Sequence, residues 1–227
     1  MELNADILIA GTDSFVRDAI ASVLQGRGYT NVIIPYERDV DFTDASSVEG
    51  LFAISHIDYV FLVGGISGGI LANQRMPAQL MLNNLLVDCN VISMSHKFNI
   101  KKLFYLASSC VYPREADQPI VETALMTGRL EPTNESYATA KIAGLQLCKA
   151  YNVQFGTSFS VGIPSNPFGP GDDFSEEESH VIPGLIRRMH DAKIKGTEVV
   201  EIWGTGRPKR EFIYSDDLAD ACVFVMN

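Results

Sequence analysis

The chain has 227 residues, and 46% of them are hydrophobic, so it can bury a sizeable core. Its formal net charge of −10 argues against non-specific binding to nucleic acid or to an anionic membrane, because the phosphates of both repel an acidic protein. The same charge is compatible with an anionic small ligand, since nearby arginines and backbone N–H groups can oppose the global field.

Cysteines and histidines are too scattered to predict disulfides or a metal site. The cysteines are Cys89, Cys110, Cys148 and Cys222, and the histidines are His56, His96, His180 and His190. The absence of a C-x-x-C pair favours the reducing cytoplasm. The amino terminus carries Glu2 and no basic segment followed by an apolar run, so we expect no signal peptide. The longest apolar stretch, 59–72, is too short to cross a bilayer.

Short apolar runs alternate with helical patterns along most of the chain. The predicted strands are 6–10, 31–35, 58–63, 102–107, 158–163 and 199–203. The predicted helices include 14–26, 45–55, 77–97 and 134–152, the last with Asn134 as its N-cap. Continuous apolar strands such as 60–63 are typical of a parallel sheet that is covered on both faces. The alternation therefore predicts a doubly wound, Rossmann-type α/β fold.

The pattern changes after residue 166. Proline and glycine are dense in 166–174, an acidic loop follows, and the chain ends in a predicted helix with Asp216 and Asp217 near its start. The predicted apolar face of this last helix consists of Leu218, Ala221, Cys222 and Val225.

Small and polar residues follow four of the first five predicted strands. The exits read Gly11-Thr12-Asp13, Tyr36-Glu37-Arg38, Gly64-Gly65-Ile66, Ser108-Ser109-Cys110 and Pro164-Ser165-Asn166. Ligands of such sheets bind beyond the carboxyl ends of the strands. Together these exits predict one common cleft.

The first exit, "GTDSFVR", has the position of a dinucleotide loop but not its usual glycines. Gly11 is present, whereas Ser14 and Arg17 stand where the second and third glycines are expected. A serine hydroxyl can bind phosphate, and the helix N-terminus still offers N–H groups to an anion. Arg17 requires either an outward side chain or a helix further from the sheet. We interpret the segment as an altered but functional loop, and a plain tight turn is the alternative.

The segment "NESYATAKIAG" places Tyr137 and Lys141 four residues apart, on one face of a helix. A neighbouring ammonium stabilises phenolate, so this tyrosine can exchange a proton with a substrate oxygen. Ser108, just past a buried strand, can bind the same oxygen. A chance Y-x-x-x-K pattern and an ordinary polar turn are the alternatives.

These motifs, with "SSCVYP", "SHVIPGLIRRMH" and "WGTGRPKREFIYSDDLADA", resemble the extended short-chain dehydrogenase/reductase family, also described as NAD-dependent epimerases and dehydratases. The resemblance covers nearly the whole chain and is greatest to the GDP-L-fucose synthases. It implies epimerisation at C3 and C5 of GDP-4-keto-6-deoxy-D-mannose and reduction at C4 with NADPH, giving GDP-L-fucose. It also implies a homodimer, with 77–97 and 134–152 as the shared face.

The resemblance implies a role for each matching residue. Ser108 and Tyr137 would hold the C4 oxygen, with Tyr137 as the proton donor, while Lys141 would bind the nicotinamide ribose and tune Tyr137. Cys110 and His180 would be the base and acid of the epimerisations. Arg188, Trp203 and Arg210 would contact the GDP-sugar. The implied cofactor-binding residues are Gly11, Thr12, Ser14, Phe15, Val16, Arg38, Asp41, Phe42, Gly64, Gly65, Lys141, Pro164, Asn166, Phe168 and His180.

The resemblance also divides the chain. Residues 1–165 would form the dinucleotide-binding domain, to which 210–227 returns, and 166–209 would form part of the substrate-binding region. Since the chain stops on its last helix, we expect that region to be incomplete at its carboxyl end.

Several alternatives stay open at this point. NADP is favoured over NAD, although Glu37 suits a ribose hydroxyl as well as Arg38 suits a phosphate. Cys110 could instead be a small packing residue, and His180 could simply start a helix. Arg188 and Arg210 could be solvated surface charges, and Trp203 could be a core residue. A related 4-keto sugar such as a GDP-heptose, or a catalytically silent nucleotide-binding protein, are the alternative functions.

Overall fold

Five parallel strands form the central sheet. The computed structural model describes residues 1–12, 14–36, 38–175, 179–202 and 204–227, without the side chain of Ser14. The strands are β1 (Asp6–Gly11), β2 (Asn31–Ile33), β3 (Tyr59–Gly64), β4 (Lys102–Leu106) and β5 (Phe159–Gly162). Their spatial order is β2-β1-β3-β4-β5. The order reverses between β1 and β3, which is where ligands bind on doubly wound sheets.

Helices cover both faces of this sheet, as predicted. They are α1 (Ser14–Gly26), α2 (Ala45–Ile54), α3 (Ile70–Arg75), α4 (Pro77–Lys97), α5 (Glu135–Phe155), α6 (Val181–Lys195) and α7 (Ser215–Met226). Asn134 occupies the N-cap position of α5, but its side chain makes no capping hydrogen bond. Within the described ranges, none of the helices is both long and apolar enough to cross a bilayer.

Each face of the sheet has its own core. On one face, Ile7, Ile9 and Phe61 pack with α1 and α7. On the other, Leu8 and Val60 pack with α2, α4 and α5. Every residue of β3 is buried, which confirms the expectation drawn from its continuous apolar run. Two covered faces leave the strand ends as the accessible part of the sheet.

The buried face of α7 differs from the predicted one. Ala221 and Val225 are exposed, and the buried apolar residues are Leu218, Ala219, Cys222, Val223 and Met226. The helix is therefore turned so that the 219/223/226 edge, rather than the 221/225 edge, meets α1. The periodicity was compatible with both edges, and packing against α1 selects one.

The predicted strand at 199–203 is wrong for the residues that the structure describes. Residues 199–202 belong to no strand, and Val199 is 81% exposed. Two short strands that were not predicted, β6 (Asn166–Phe168) and β7 (Phe212–Tyr214), pair in parallel instead. Phe168 packs edge-on against Phe212 and Tyr214, so aromatic contacts hold this ribbon. Trp203 lies outside the described residues.

A cluster that the sequence did not predict lies at the amino ends of β1 and β3. His56 Nδ1 is 3.1 Å from Asp6 Oδ2 and 4.0 Å from Asp58 Oδ2. Lys101 Nζ lies 3.1 Å from Asp58 Oδ1, so a cation already compensates this carboxylate. The cluster is at the sheet edge opposite the glycine-containing exits of the same strands.

Candidate active site

The carboxyl ends of β1 and β3 touch through two glycines. The Thr12 backbone N–H donates to the Gly64 carbonyl at 3.0 Å. Gly11 has φ of +120°, and a Cβ at this position would collide with the Gly64 carbonyl oxygen. Gly64 has φ of +98°, and its Cβ would collide with Lys141 Nζ. Both positions therefore require glycine, for backbone conformation and for space.

The side chains of Phe15 and Val16, in the first turn of α1, are buried in the core beside the sheet, so a cofactor would not meet them. Thr12 Oγ1 is buried and has no hydrogen-bond partner among the described residues. An orphaned hydroxyl beside two glycines and a helix N-terminus fits the pyrophosphate of a dinucleotide.

Arg17 does not point outward. Its side chain is only 15% exposed, and its Nε lies 3.2 Å from Asp18 Oδ1. Of the two arrangements that the sequence allowed, the structure therefore excludes a solvated arginine. The side chain occupies space next to the loop that a glycine would leave open.

Two asparagines that the sequence analysis missed shape the exit of β3. Asn84 Oδ1 accepts from the Gly65 N–H at 3.1 Å, and Asn83 Oδ1 accepts from the Ile66 N–H at 3.0 Å. Asn84 Nδ2 donates to the Ile66 carbonyl at 2.8 Å. These bonds from α4 fix the Gly64–Gly65 turn. The "NN" pair on a helix gives no sequence signal for this task, because its partners lie about 20 residues away.

Lys141 links this turn to Tyr137. The lysine is 2% exposed, and its Nζ lies against Gly64 and 5.8 Å from the centroid of the Tyr137 ring. The predicted i, i+4 pair on α5 is therefore next to the β3 exit. A buried ammonium this close to a phenol favours the phenolate form of the phenol.

Ser108 and Cys110 follow β4, and Cys110 lies within reach of the Lys141 charge. Burial raises the pKa of the Cys110 thiol, while its hydrogen bond with Ser108 and the charge of Lys141 act in the opposite direction. The protonated thiol is thus the resting form at neutral pH. This suits Cys110 as a proton donor and differs from the base that the resemblance implies.

The exit of β2 is polar and open. Arg38 is exposed, with its guanidinium over the Tyr36 ring at 5.0 Å. Asp41 accepts from the Thr43 N–H and hydroxyl, and these bonds lower the pKa of its carboxyl group. Phe42 is buried, so a cofactor would meet only its backbone. The acidic alternative at this exit, Glu37, lies outside the described residues.

The segment after β5 joins the ribbon β6–β7. Pro164 is half-buried ahead of this ribbon. Asn166 donates from its backbone and from its Nδ2 to the Glu211 carbonyl, at 3.2 and 2.8 Å. Asn166 and Phe168 thus have roles in building the ribbon, whatever contact they make with a cofactor.

His180 is held at the start of α6 by a carboxylate. It is the N-cap residue of this helix, and its Nδ1 lies 3.4 Å from Asp172 Oδ1. Asp172 is buried, whereas the His180 side chain is 43% exposed. A carboxylate at Nδ1 orients the imidazole ring.

The three residues implied in sugar binding differ in their surroundings. Arg188 donates to the Gly184 and Glu201 carbonyls, at 3.2 and 3.3 Å, and so joins α6 to the segment that follows it. Arg210 is exposed and donates to the neighbouring Lys209 carbonyl. The third contact, Trp203, is outside the described residues.

Comparison with known proteins identifies the family. The model of the NAD dependent epimerase/dehydratase family matches residues 7–227. The chain belongs to this family. This is a family of NAD-dependent enzymes. Dinucleotide binding agrees with the order of the sheet, the glycines at its switch point and the Tyr137–Lys141 pair.

The relatives of this epimerase/dehydratase include enzymes named for GDP-sugars. GDP-L-fucose synthase 1 of Arabidopsis thaliana is 47% identical over 224 residues, which are 99% of this chain and 69% of the relative. GDP-L-fucose synthase of Escherichia coli (strain K12) is 41% identical, over 97% of this chain and 68% of the relative. The structure of GDP-mannoheptose C4 reductase from Campylobacter jejuni, solved with NADP bound, matches with a TM-score of 0.90 at 34% identity. That match covers 100% of this chain and 76% of the reductase.

Proposed function

We propose that this epimerase/dehydratase converts GDP-4-keto-6-deoxy-D-mannose to GDP-L-fucose with NADPH. The observation that carries the proposal is the position of Lys141 at the carboxyl edge of the sheet. Its ammonium lies against the Gly64 turn and 5.8 Å from the centroid of the Tyr137 ring, and its charge acts on Cys110, which is hydrogen-bonded with Ser108. The GDP-L-fucose synthases among its relatives, at 41–47% identity over nearly the whole chain, support the same reaction.

Each step of this reaction requires a proton carrier. The C4 ketone acidifies the hydrogens at C3 and C5, and inversion requires removal on one face and return on the other. Cys110, resting as a thiol, and His180, oriented by Asp172, are the two carriers. When bound, NADPH supplies the hydride that reduces C4. Tyr137 donates the proton to the C4 oxygen, which Ser108 holds.

The cofactor would lie across the switch point. The Gly11–Gly64 contact admits close approach of a backbone to the pyrophosphate, and the N-terminal end of α1 follows directly after it. Lys141 would bind the nicotinamide ribose. Arg38 is the exposed cation at the β2 exit that suits the 2′-phosphate of NADP rather than NAD.

The domain division and the assembly are also proposals. Residues 1–165 would hold the dinucleotide, with 210–227 returning to the same domain, and 166–209 would contribute to the sugar site. The buried packing of α7 on α1 supports the return.

We further propose a cytoplasmic homodimer formed by α4 and α5. Leu82 and Val153, exposed on these two helices, support a contact there, and the four cysteines, none in a disulfide, support a reducing compartment.

Reduction alone, on a GDP-heptose, is the second candidate. The similarity to the GDP-mannoheptose C4 reductase favours this candidate. In such a reaction, Tyr137 and Ser108 would serve the reduction at C4, and Cys110 and His180 would have no part. Deuterium incorporation separates the two functions. A synthase exchanges the C3 and C5 hydrogens of its keto sugar with D2O, and a simple C4 reductase does not.

The direct test is turnover of GDP-4-keto-6-deoxy-D-mannose with NADPH, followed by product identification by NMR. Thermal shift with NADPH, NADH and GDP precedes it, since a ligand that binds the native state raises the melting temperature. Formation of GDP-L-fucose supports the proposal. Binding of NADPH and GDP without turnover of this keto sugar would leave the GDP-heptose reductase and the silent nucleotide-binding protein as the remaining candidates.

A further inference from the structure

A carboxylate and a phenol are buried together behind the candidate site. Asp88 on α4 is 1% exposed, and Tyr105 on β4 is fully buried. The Tyr105 hydroxyl donates to Asp88 Oδ2 at 2.6 Å, a short and therefore strong charge-assisted bond. Asp88 Oδ1 is buried and has no hydrogen-bond partner among the described residues. Such a group is costly to bury and calls for an opposite charge.

Lys141 supplies that charge. Its Nζ lies 5.2 Å from the centroid of the Tyr105 ring, and its attraction favours the Asp88 carboxylate. The pKa of Asp88 is raised overall, because burial outweighs the opposing effects of Lys141 and of the Tyr105 hydroxyl. Burial and Asp88 together raise the pKa of Tyr105 well above its ordinary value, so this phenol keeps its proton and remains a donor.

Two glycines confine the lysine between this pair and the cleft. A Cβ at Gly144, on the same helix as Lys141, would lie 2.6 Å from the Tyr105 hydroxyl and 2.9 Å from Asp88 Oδ2. A Cβ at Gly64 would collide with Lys141 Nζ. Helix α5 therefore packs directly on the Asp88–Tyr105 pair, and the ammonium has little room to move away from the Gly64 turn.

We propose that Asp88 and Tyr105 are positioning residues of the reductase step, which compensate and fix the Lys141 ammonium and so set the proton affinity of Tyr137. The inference rests on the proposed function, in which Tyr137 donates the proton to the C4 oxygen. Neither residue touches substrate, and both act through Lys141.

The direction of the effect follows from the charges around the lysine. The Asp88 carboxylate and the Lys141 ammonium together present little net charge to Tyr137. Replacing Asp88 with asparagine leaves the ammonium uncompensated, which stabilises the Tyr137 phenolate, so the phenol loses its proton at lower pH. Several further titratable groups lie around Asp88 and Lys141. They are Tyr105 on β4, Tyr137 and Cys148 on α5, Cys89 beside Asp88, and Cys110 in the turn after β4.

The test measures the Tyr137 phenol directly. Phenolate absorbance is titrated in the full chain and in its Tyr137→Phe variant, and the difference isolates Tyr137 from the other tyrosines. The same pair of titrations is repeated in Asp88→Asn, Tyr105→Phe and Ser95→Ala backgrounds. Ser95 is the control because it is buried on α4 about 10 Å along the helix from Asp88, which corresponds to two turns. Melting temperature and NADPH binding show that each variant is folded.

We expect the Tyr137 titration to move down by about one pH unit in Asp88→Asn, the low end of the shift that a nearby charge causes. Tyr105→Phe should move it less and in the same direction, and Ser95→Ala should not move it. The basic limb of NADPH oxidation with the keto sugar should follow the same order. A Tyr137 titration that is unmoved, or that moves upward, in folded Asp88→Asn and Tyr105→Phe overturns the inference.

If Asp88→Asn does not fold, Tyr105→Phe decides alone. Absence of turnover in the parent would count against the proposed function and not against the inference, since the phenolate titration requires no substrate.

Discussion

Single residues at the strand exits determine whether a dinucleotide can approach the sheet. Gly11→Ala places a Cβ against the Gly64 backbone at a φ that side chains disfavour. We expect it to destabilise the fold by about 2 kcal/mol or more and to weaken NADPH binding. Gly28→Ala is the matched control, because Gly28 has φ of +86° but open space around it. Only the cost of holding alanine in this backbone conformation, about 1 kcal/mol in the free energy of unfolding, applies there. Urea unfolding and calorimetry measure both variants, and equal costs would contradict the assigned contact.

Tyr137 is predicted to matter for reduction and not for proton exchange. Tyr137→Phe removes the donor for the C4 oxygen and keeps the ring over Lys141. Hydride transfer should fall by roughly two to four orders of magnitude, the usual contribution of a positioned acid. In D2O the variant should still deuterate C3 and C5 of the keto sugar. NADPH consumption and NMR measure the two steps separately, and parental hydride transfer would remove Tyr137 from the mechanism.

Cys110 is predicted to have the opposite profile. Cys110→Ser replaces a thiol by a far weaker acid of similar size, so exchange at C3 and C5 should slow while reduction of the unepimerised ketone can persist. Because burial raises the pKa of the thiol, the thiolate is scarce at neutral pH, and any exchange that depends on thiolate should increase as pH rises. Ring deuteration against pH, with an enzyme-free control, measures this. Exchange at the parental rate in Cys110→Ser would make Cys110 a packing residue.

The residues that were predictable from sequence are those with local spacing. Tyr137 and Lys141 are four apart on one helix, and Ser108 directly follows an apolar run, so each carries its signal in its neighbours. Cys110 was singled out only through the family resemblance. Asp88 and Tyr105 carry no such signal, because one interrupts an otherwise ordinary helix and the other is an aromatic in a buried strand. Their pairing exists only once α4, β4 and α5 are packed together.

At the scale of elements, the turn from β1 into α1 is where this chain departs most from a glycine-rich loop. Arg17 is largely buried beside that turn, so Arg17→Gly should open the space that the third glycine usually provides. We expect NADPH to bind about three- to ten-fold more tightly, and the melting temperature to fall, because glycine costs about 1 kcal/mol inside a helix.

Arg17→Ala separates the two effects of that change. It removes the guanidinium but keeps a Cβ, so it should preserve helix stability and recover only part of the affinity. Isothermal calorimetry with NADPH and NADH decides the matter. Weaker binding in both variants would mean that Arg17 itself contacts the cofactor and that the loop has replaced a glycine with a ligand.

Elements with continuous apolar runs or clear helical periodicity were predictable, and short ones were not. Strands β1, β3 and β4 are buried on both faces, so their sequences identify them. Strands β6 and β7 have three residues each and depend on pairing with each other, across more than 40 residues. The segment 199–202 is rich in β-branched residues and resembles a strand, but in the described chain it has no neighbouring strand to pair with.

At the scale of the whole molecule, the order of the sheet and the return of the last helix are long-range features. Sequence periodicity indicated α7 but selected the wrong edge, since Val225 is exposed while Val223 is fully buried against the α1 side of the sheet. The identity of the buried edge depends on what the helix meets, and α1 lies about 200 residues earlier in the chain.

The return of α7 to the first core predicts that a change near the carboxyl end destabilises the dinucleotide domain. Val223→Ala removes two buried methyl groups, so we expect a loss of about 2 kcal/mol in the free energy of unfolding. Val225→Ala makes the same chemical change on the same helix at a side chain that is 49% exposed, and should lie within about 0.5 kcal/mol of the parent. Urea unfolding is followed with and without saturating NADPH. If α7 belongs to the same cooperative unit as β1 and α1, Val223→Ala lowers the midpoint of one transition, and NADPH raises that same transition. A second transition, sensitive to Val223→Ala but not to NADPH, would show that residues 210–227 fold apart from the dinucleotide domain.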